Sequence, residues 1–279
     1  MIIDAHQHFW RLARGDYTWL KADDSVLYRD YMPSDLAPIL SRNGIRATVL
    51  IQAAASEAET HFLLQLAQGN LFIAGVVGWT DFEAANVGER IANLCADGGN
   101  KLKGLRPMIQ DIGDPDWILQ GSVNAAFEAM LGCDLAFDAL IIPSQLDSLR
   151  KRLLRHPGLR AVLDHAGKPD IANEGFDGWA EDLMRLARDT NVYCKLSGLL
   201  TQLGPAQARD KLESYVAHIF ACFGPQRVLW GSDWPVLNHA GTYVQWLSES
   251  RTLVKRFAGN NERDVFCDNA ASFYRLDAA

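Results

Sequence analysis

The sequence predicts an α/β fold, a single (β/α)8 barrel that spans residues 1–279. Apolar strand-like segments alternate with helical patterns eight times along the chain, and the strands are almost continuously apolar. Such strands are typical of a parallel sheet that helices cover. Eight units in 279 residues, 48% of them hydrophobic, favour a closed barrel over an open doubly wound sheet. Neither a G-x-G-x-x-G after the first strand nor a P-loop motif is present, which disfavours nucleotide-binding folds.

The first strand is predicted in residues 2–10 (IIDAHQHFW), which end in two histidines one residue apart. Side chains of a strand alternate between its faces, so His6 and His8 point the same way, roughly 6.6 Å apart along the chain. Two imidazoles so placed can converge on one ion or one substrate atom. Residues 11–34 are polar and dotted with aromatic side chains, and their length suits a loop over a site.

The later elements follow in order. Ser34 is predicted to cap a helix that starts at Asp35 and ends at Asn43 and Gly44. Further helices are predicted over 56–68, 82–96, 117–131, 144–155, 177–189 and 205–223, with a closing helix over 260–274. The remaining strands are predicted at 47–52, 71–79, 102–106, 135–140, 161–165, 192–197 and 228–233.

Composition limits the partners and the compartment. The formal net charge of −7 disfavours nucleic acids and anionic membranes, which bind basic surfaces, and favours a small neutral or mildly polar ligand. No run of ~18 apolar residues is present, so we expect no membrane span. Five dispersed cysteines without a C-x-x-C pair, and the absence of room for a secretory signal before Asp4, indicate a cytoplasmic protein with reduced thiols. The oligomeric state stays open.

Polar and ionisable side chains collect at the predicted strand ends. In a (β/α)8 barrel the carboxyl ends of all strands open onto the face that carries the site. His165 and Asp233 end the sixth and eighth strands, although a core histidine and a helix cap are their ordinary alternatives. The other candidates for this face, as substrate contacts, are Gln52, Trp79, Lys103, Arg106, Lys195, Trp10, Trp234 and His239. The fifth strand offers only Asp138.

The lysine–arginine pair and the three tryptophans each have a structural alternative. Lys103 and Arg106 are three residues apart, so a regular strand would point at most one of them inward, and both have surface ion pairs as the alternative. The flat rings of Trp10, Trp79 and Trp234 would suit the apolar face of a sugar ring, although all three could equally be core residues.

Together these residues carry a resemblance. His6-x-His8 on the first strand, His165 on the sixth and Asp233 on the eighth resemble the amidohydrolase superfamily, whose members are (β/α)8 barrels. Segments 103–106 (KGLR), 164–169 (DHAGKP), 195–199 (KLSGL) and 231–235 (GSDWP) are similar to its sugar-lactonase and dicarboxylate-lactonase branch. The likeness extends over nearly the whole chain.

The resemblance implies that water opens the ring of a lactone, an aldonolactone such as L-fuconolactone, with Asp233, His165, His6 and His8 as catalytic residues. Lactone hydrolysis needs a polarised carbonyl, a positioned water and a base. Asp233 would accept the proton of the water and return it to the leaving alkoxide. A divalent ion, or Lys103, Arg106 or Lys195, would polarise the carbonyl.

The metal requirement stays open at this stage. His6, His8, His165 and Asp233 suit one Zn²⁺ or similar ion, with water completing its coordination. Members of the lactonase branch, however, can work without a tightly held metal, because a lactone is an activated ester. A two-metal centre is disfavoured because it would need a histidine at the end of the fifth strand, where this chain has Phe137 and Asp138.

Parts of the same pattern are compatible with other functions. A decarboxylase of the same superfamily and a hydrolase of a dicarboxylate lactone use the same barrel. A metal-dependent nuclease would want basic surface and a bridging glutamate on the fourth strand, where this acidic chain has Lys103. A non-enzymatic binding protein on a barrel scaffold is the last alternative.

Overall fold

The computed structural model describes residues 1–204 and 210–277. Eight parallel strands form one sheet in sequential order. They are β1 (Ile2–Gln7), β2 (Ile45–Ile51), β3 (Ile73–Gly78), β4 (Leu102–Leu105), β5 (Ala136–Ala139), β6 (Ala161–Leu163), β7 (Tyr193–Leu196) and β8 (Val228–Trp230). β8 returns to β1, where the Asp233 amide donates to the His6 carbonyl and the His8 amide to the Trp234 carbonyl, both at 2.8 Å. The predicted (β/α)8 barrel is confirmed.

A helix follows each strand on the outside of the barrel. These helices are α1 (Pro33–Asn43), α2 (Glu57–Gly69), α3 (Val87–Gly98), α4 (Asn124–Gly132), α5 (Leu146–Arg155), α6 (Asp177–Asp189), α7 (Asp210–Phe223) and α8 (Tyr243–Ala258), with α9 (Asn269–Phe273) last. The predicted helical positions 205–209 lie outside the described residues. Within the described part of the chain, no helix has both the length and the apolar character needed to cross a bilayer.

The start of α1 differs from the prediction. Ser34 lies inside the first turn instead of capping it, because Pro33, whose ring fixes φ, takes the first helical position. The Asp35 carboxylate turns back and accepts a hydrogen bond from the Met32 amide at 2.8 Å. The end of the helix is as predicted, since Gly44 has a φ of +70°.

Three predicted helices are shorter or interrupted. The helix predicted from residue 82 begins only at Val87. Residues 117–131 form two 3-10 turns before α4, because the extended backbone of Gln120 breaks the helical path. The predicted closing helix over 260–274 is divided into a π-helical segment (Asp264–Asp268) and α9.

The strands end at a common level, so the residues that follow them can form one site. Gly78 pairs with Leu105, Ala139 with Leu163, and Leu196 with Trp230, and each of these is the last residue of its strand. Residues that follow different strands therefore emerge around one opening.

The other end of the barrel is closed by the C-terminal segment. Phe273 and Tyr274 pack with the inward apolar side chains of the strands, such as Ile3 and Val49. Asn269 donates to the carbonyl of Val228 at 2.8 Å, at the start of β8. Among the described residues, the carboxyl end of the barrel is thus the end left open for a binding cavity.

Candidate active site

Three imidazoles surround one carboxylate oxygen at the open end of the barrel. His6 lies near the end of β1 and His8 just beyond it, while His165 follows β6 and Asp233 follows β8. The Nε2 atoms of His8, His6 and His165 lie 3.4, 3.7 and 3.8 Å from Oδ1 of Asp233. The structure therefore brings together the four residues that the sequence singled out.

Two of these residues have a strained backbone. His165 and Asp233 have φ values of 52° and 59°, in the left-handed region that non-glycine residues rarely adopt. Such a conformation costs on the order of 1–3 kcal/mol and persists only where the surroundings enforce it. Here the Lys168 amide donates to the His165 carbonyl and the Leu237 amide to the Asp233 carbonyl, both at 2.9 Å. These bonds stabilise the turns that point both side chains at the cavity.

Two glycines make room for the imidazoles. A Cβ atom at Gly198 would lie 2.4 Å from Nδ1 of His165, and one at Gly231 would lie 2.7 Å from Cβ of His6. Both distances are shorter than non-bonded heavy atoms tolerate. The glycines of the KLSGL and GSDWP segments are therefore needed for close packing beside the site.

Hydrogen bonds behind the rings orient His8 and His165. Nδ1 of His8 lies 2.9 Å from the Ile51 carbonyl, which can only accept, so Nδ1 carries the proton and Nε2 faces the cavity with a lone pair. Nδ1 of His165 lies 2.9 Å from Oγ of Ser197. Burial lowers the pKa of His165 to about 4, so this ring is neutral at neutral pH.

Asp233 is held as a carboxylate. Burial alone would raise its pKa, but the imidazoles around it, His165 foremost, keep the pKa below the ordinary value for aspartate. An ionised carboxylate at the cavity wall can accept a proton from water.

A buried ionic network lies beneath His6. Nζ of Lys195, which is fully buried, lies 2.5 Å from Oδ2 of Asp138 and 2.9 Å from Oδ1 of Asp164. Tyr274 donates to Oδ2 of Asp138 at 2.6 Å, and Arg106 pairs with Asp164 at 3.2 Å. Burial raises the pKa of Asp138. At Asp164 burial also raises the pKa, but Lys195, His6 and Arg106 together outweigh it and hold the pKa well below its usual value. Every ionised member thus has an opposite charge beside it.

The site opens into a cavity of about 230 Å³. Two cationic side chains, Arg106 and Lys168, line it together with His8, His165 and Asp233. Lys168 also donates to Oε1 of Gln110, and burial lowers its pKa. The other lining residues are Trp19, Ala53, Met108, Gln110, Asp111, Leu140 and Val236.

A larger chamber of about 500 Å³ adjoins this cavity, and the two share Trp19, Met108 and Asp111. Trp79, expected at the site, lines this outer chamber instead of the inner cavity. The outer chamber carries four carboxylates, Asp16, Asp81, Glu83 and Asp111, and none of its lining residues is a lysine or an arginine. The inner cavity therefore combines two cations with the carboxylates of Asp111 and Asp233, whereas the outer chamber is anionic.

Two lysines predicted to touch the substrate do not line the cavity. Nζ of Lys103 donates to the Arg275 carbonyl at 2.9 Å and to Asn100 at 3.0 Å, so this side chain reaches the closed end of the barrel. The prediction for Lys103 was wrong because its long side chain points toward the C-terminal segment and binds the Arg275 carbonyl there. Lys195 is enclosed in the network beneath His6, where it contacts side chains and not the cavity.

The two remaining tryptophans belong to the core. Trp10 is fully buried and donates to the Arg29 carbonyl at 2.7 Å. Trp10 and Trp234 both pack edge-to-face on Tyr31, with ring centroids 5.2 Å away. The expectation that they face a sugar is corrected, since the 11–34 loop covers both rings.

Gln52 and His239 also differ from the expectation. Gln52 is fully buried, donates to the Arg106 carbonyl at 2.9 Å and accepts from Nη2 of Arg106 at 3.1 Å. It therefore orients Arg106 and lines neither cavity. His239 is 42% exposed and pairs with Asp24 at 2.9 Å, away from both cavities.

Sequence reasoning missed several cavity residues, and Lys168 and Trp19 matter most for the proposed chemistry. Lys168 lies three positions after His165 within the DHAGKP segment, and its place in that segment was the available signal. Trp19 lies in the 11–34 loop, which was expected to cover a site but carried no pattern that distinguishes one aromatic ring from another.

Comparison with known proteins decides the family. A family model described as amidohydrolase matches residues 3–276. The chain belongs to the amidohydrolase family. A curated relative named L-fucono-1,5-lactonase, from Burkholderia ambifaria, is 43% identical and aligns over 99% of this chain and 96% of its own. A second protein of that name, from Burkholderia multivorans, is 39% identical over 92% of this chain and 88% of its own.

Solved structures agree with this assignment. A crystal structure of an amidohydrolase from Burkholderia multivorans with bound zinc superimposes with a TM-score of 0.93. It is 35% identical and covers 99% of this chain and 100% of its own.

The donor atoms of this amidohydrolase fit a divalent metal ion. His6, His165 and Asp233 each offer one atom, and all three atoms lie within 4.8 Å of one another. Imidazole nitrogen and carboxylate oxygen are ligands that Zn²⁺ accepts, with water completing a tetrahedral set. Nε2 of His8 lies 3.4 Å from Oδ1 of the same carboxylate.

Proposed function

We propose that this amidohydrolase opens the ring of a neutral sugar lactone, L-fucono-1,5-lactone or a close analogue, in sugar catabolism. The observation that carries the proposal is the ionised Asp233 within 3.4–3.8 Å of three imidazoles, at the wall of a cavity with two cationic side chains. The similarity to two proteins named L-fucono-1,5-lactonase over most of the chain supports this choice.

The residues at the site have separate roles in this reaction. Asp233 accepts a proton from a water molecule whose oxygen bonds to the lactone carbonyl carbon. Negative charge then develops on the carbonyl oxygen, and Arg106 and Lys168 stabilise it from the cavity wall. The bond from that carbon to the ring oxygen breaks, and Asp233 returns the proton to the ring oxygen, giving a hydroxy acid. A divalent ion held by His6, His165 and Asp233 would add Lewis-acid polarisation of the carbonyl.

Charge argues for a neutral sugar lactone over a dicarboxylate lactone. A substrate that approaches through the outer chamber passes Asp16, Asp81, Glu83 and Asp111. These carboxylates create a negative potential that disfavours an incoming dianion and leaves a neutral molecule unaffected. The rings of Trp19 and Trp79 offer flat faces to the apolar side of a sugar.

The experiment is a panel assay. Purified protein is offered L-fucono-1,5-lactone, its D enantiomer and 2-pyrone-4,6-dicarboxylate, while a pH indicator follows acid release above the rate without protein. We expect turnover of the L lactone and little or none of the dicarboxylate. Turnover of no lactone would overturn the proposal, and carbon dioxide release from aromatic acids in its place would identify a decarboxylase.

A further inference from the structure

Lys195 lies directly behind His6. Its Nζ is 3.1 Å from Nδ1 of His6, in addition to the contacts with Asp138 and Asp164 described above. An ammonium group between two carboxylates has three N–H donors and no lone pair. The atom that it meets on His6 must therefore act as an acceptor, so Nδ1 of His6 carries a lone pair.

The proton of the neutral His6 ring is consequently on Nε2, the nitrogen that faces Asp233. Nε2 of His6 lies 3.1 Å from Nε2 of His8. His8 already uses Nδ1 as a donor to the Ile51 carbonyl, so its Nε2 is an acceptor. Each bond in this series runs in the same direction, from Lys195 to His6, from His6 to His8, and from His8 to Ile51.

This arrangement sets His6 apart from the other two histidines. A metal-bound imidazole needs a lone pair on the binding nitrogen and usually donates its other N–H to an oxygen acceptor, such as a carboxylate, a carbonyl or a water molecule. His8 meets that condition through Ile51, and His165 meets it when it donates to Ser197. His6 does not, because an ammonium group occupies the place of the acceptor.

We propose that Lys195 is a positioning residue that holds the proton of His6 on Nε2 and thereby weakens divalent-metal binding at this site. The acceptor that a metal-bound His6 requires is already present, since Oδ1 of Asp164 lies 3.5 Å from Nδ1 of His6. Removal of the ammonium group would let His6 move its proton to Nδ1, donate to Asp164 and present a lone pair on Nε2. The proposal does not depend on which lactone is the substrate.

Zinc affinity tests the proposal. Lys195→Met alone would leave two buried carboxylates with less compensation, so the main variant combines Lys195→Met with Asp138→Asn and removes one charge of each sign. Asp138→Asn alone is the matched control, because it keeps the ammonium behind His6. Zinc binding to chelator-stripped protein is measured by competition with a chromogenic chelator. We expect the double variant to bind Zn²⁺ roughly 10- to 100-fold more tightly than the wild type. The control should stay close to the wild type.

Equal zinc affinity in the wild type and the folded double variant would overturn the proposal. A second measurement needs no change at Lys195. In stripped wild-type protein labelled with ¹⁵N-histidine, the signals of His6 are assigned by their loss in His6→Gln. We expect a protonated Nε2 and an unprotonated Nδ1, and the opposite pattern would refute the inference. Neither readout involves turnover, so a negative lactone assay would not affect them.

Discussion

Gly198 lies against the imidazole of His165, so close that a Cβ atom at position 198 would be 2.4 Å from Nδ1. The preceding residue, Ser197, places its Oγ 2.9 Å from the same nitrogen. Two consecutive residues after β7 thus fix the ring of a residue that follows β6. The position of His165 depends on the neighbouring strand as much as on its own.

Gly198→Ala should therefore impair catalysis as well as folding. The methyl group would displace His165, and the φ of +65° adds a backbone cost of about 1–2 kcal/mol. Gly44→Ala is the matched control, because Gly44 has a φ of +70° with no atom within 4 Å of the added Cβ. Denaturant unfolding and kcat/KM are measured for both variants. We expect both to lose stability and only Gly198→Ala to lose activity, whereas equal kcat/KM values would contradict the packing argument.

Lys168 and Lys103 lie at opposite ends of the barrel, so replacing each of them should have a different effect on activity and stability. Lys168→Met removes a cation from the cavity wall and should lower kcat/KM on the order of 10²-fold, as expected for a group that stabilises the developing oxyanion. Lys103→Met removes a hydrogen bond to the Arg275 carbonyl at the closed end and should cost about 1 kcal/mol of stability without changing kcat/KM. Loss of activity in Lys103→Met with normal activity in Lys168→Met would contradict the assignment of Lys168 to the cavity and of Lys103 to the closed end.

The acid side of the pH profile follows from His165. Burial lowers the pKa of this ring to about 4, and the imidazoles hold the pKa of Asp233 below its ordinary value. As the pH falls, Asp233 stays ionised and His165 stays neutral until the pH approaches 4. We expect kcat/KM to be constant from about pH 7 to about pH 5 and to fall below that range. A fall with an apparent pKa near 6.5, the ordinary value for histidine, that disappears when His165 is replaced would show that the His165 ring is not desolvated as described.

The barrel and the group of four site residues could be predicted because both depend on local pattern. Apolar strands that end in His6, His165 and Asp233 require only that strand ends meet at one edge. The directions of the lysines could not be predicted in this way. Lys103 follows the C-terminal segment to the closed end, and Lys195 is enclosed by Asp138 and Asp164. Those partners are distant in sequence, so no spacing reveals them.

The predictions for Trp10 and Trp234 failed for a similar reason. Trp10 and Trp234 occupy strand ends, but Tyr31 from the covering loop packs on both and turns them into core residues. Trp19, from the same loop, lines the cavity instead. Which aromatic ring of the polar 11–34 loop faces the site depends on the path of the whole loop, and local composition does not determine that path.

The most direct measurement is kcat/KM for L-fucono-1,5-lactone with wild-type protein and with Asp233→Asn. The amide keeps the size of the side chain but cannot accept the proton of the attacking water. We expect kcat/KM to fall by about 10²- to 10⁴-fold, with an unchanged circular dichroism spectrum. An Asp233→Asn variant that hydrolyses the lactone as fast as the wild type would contradict the central role of this carboxylate.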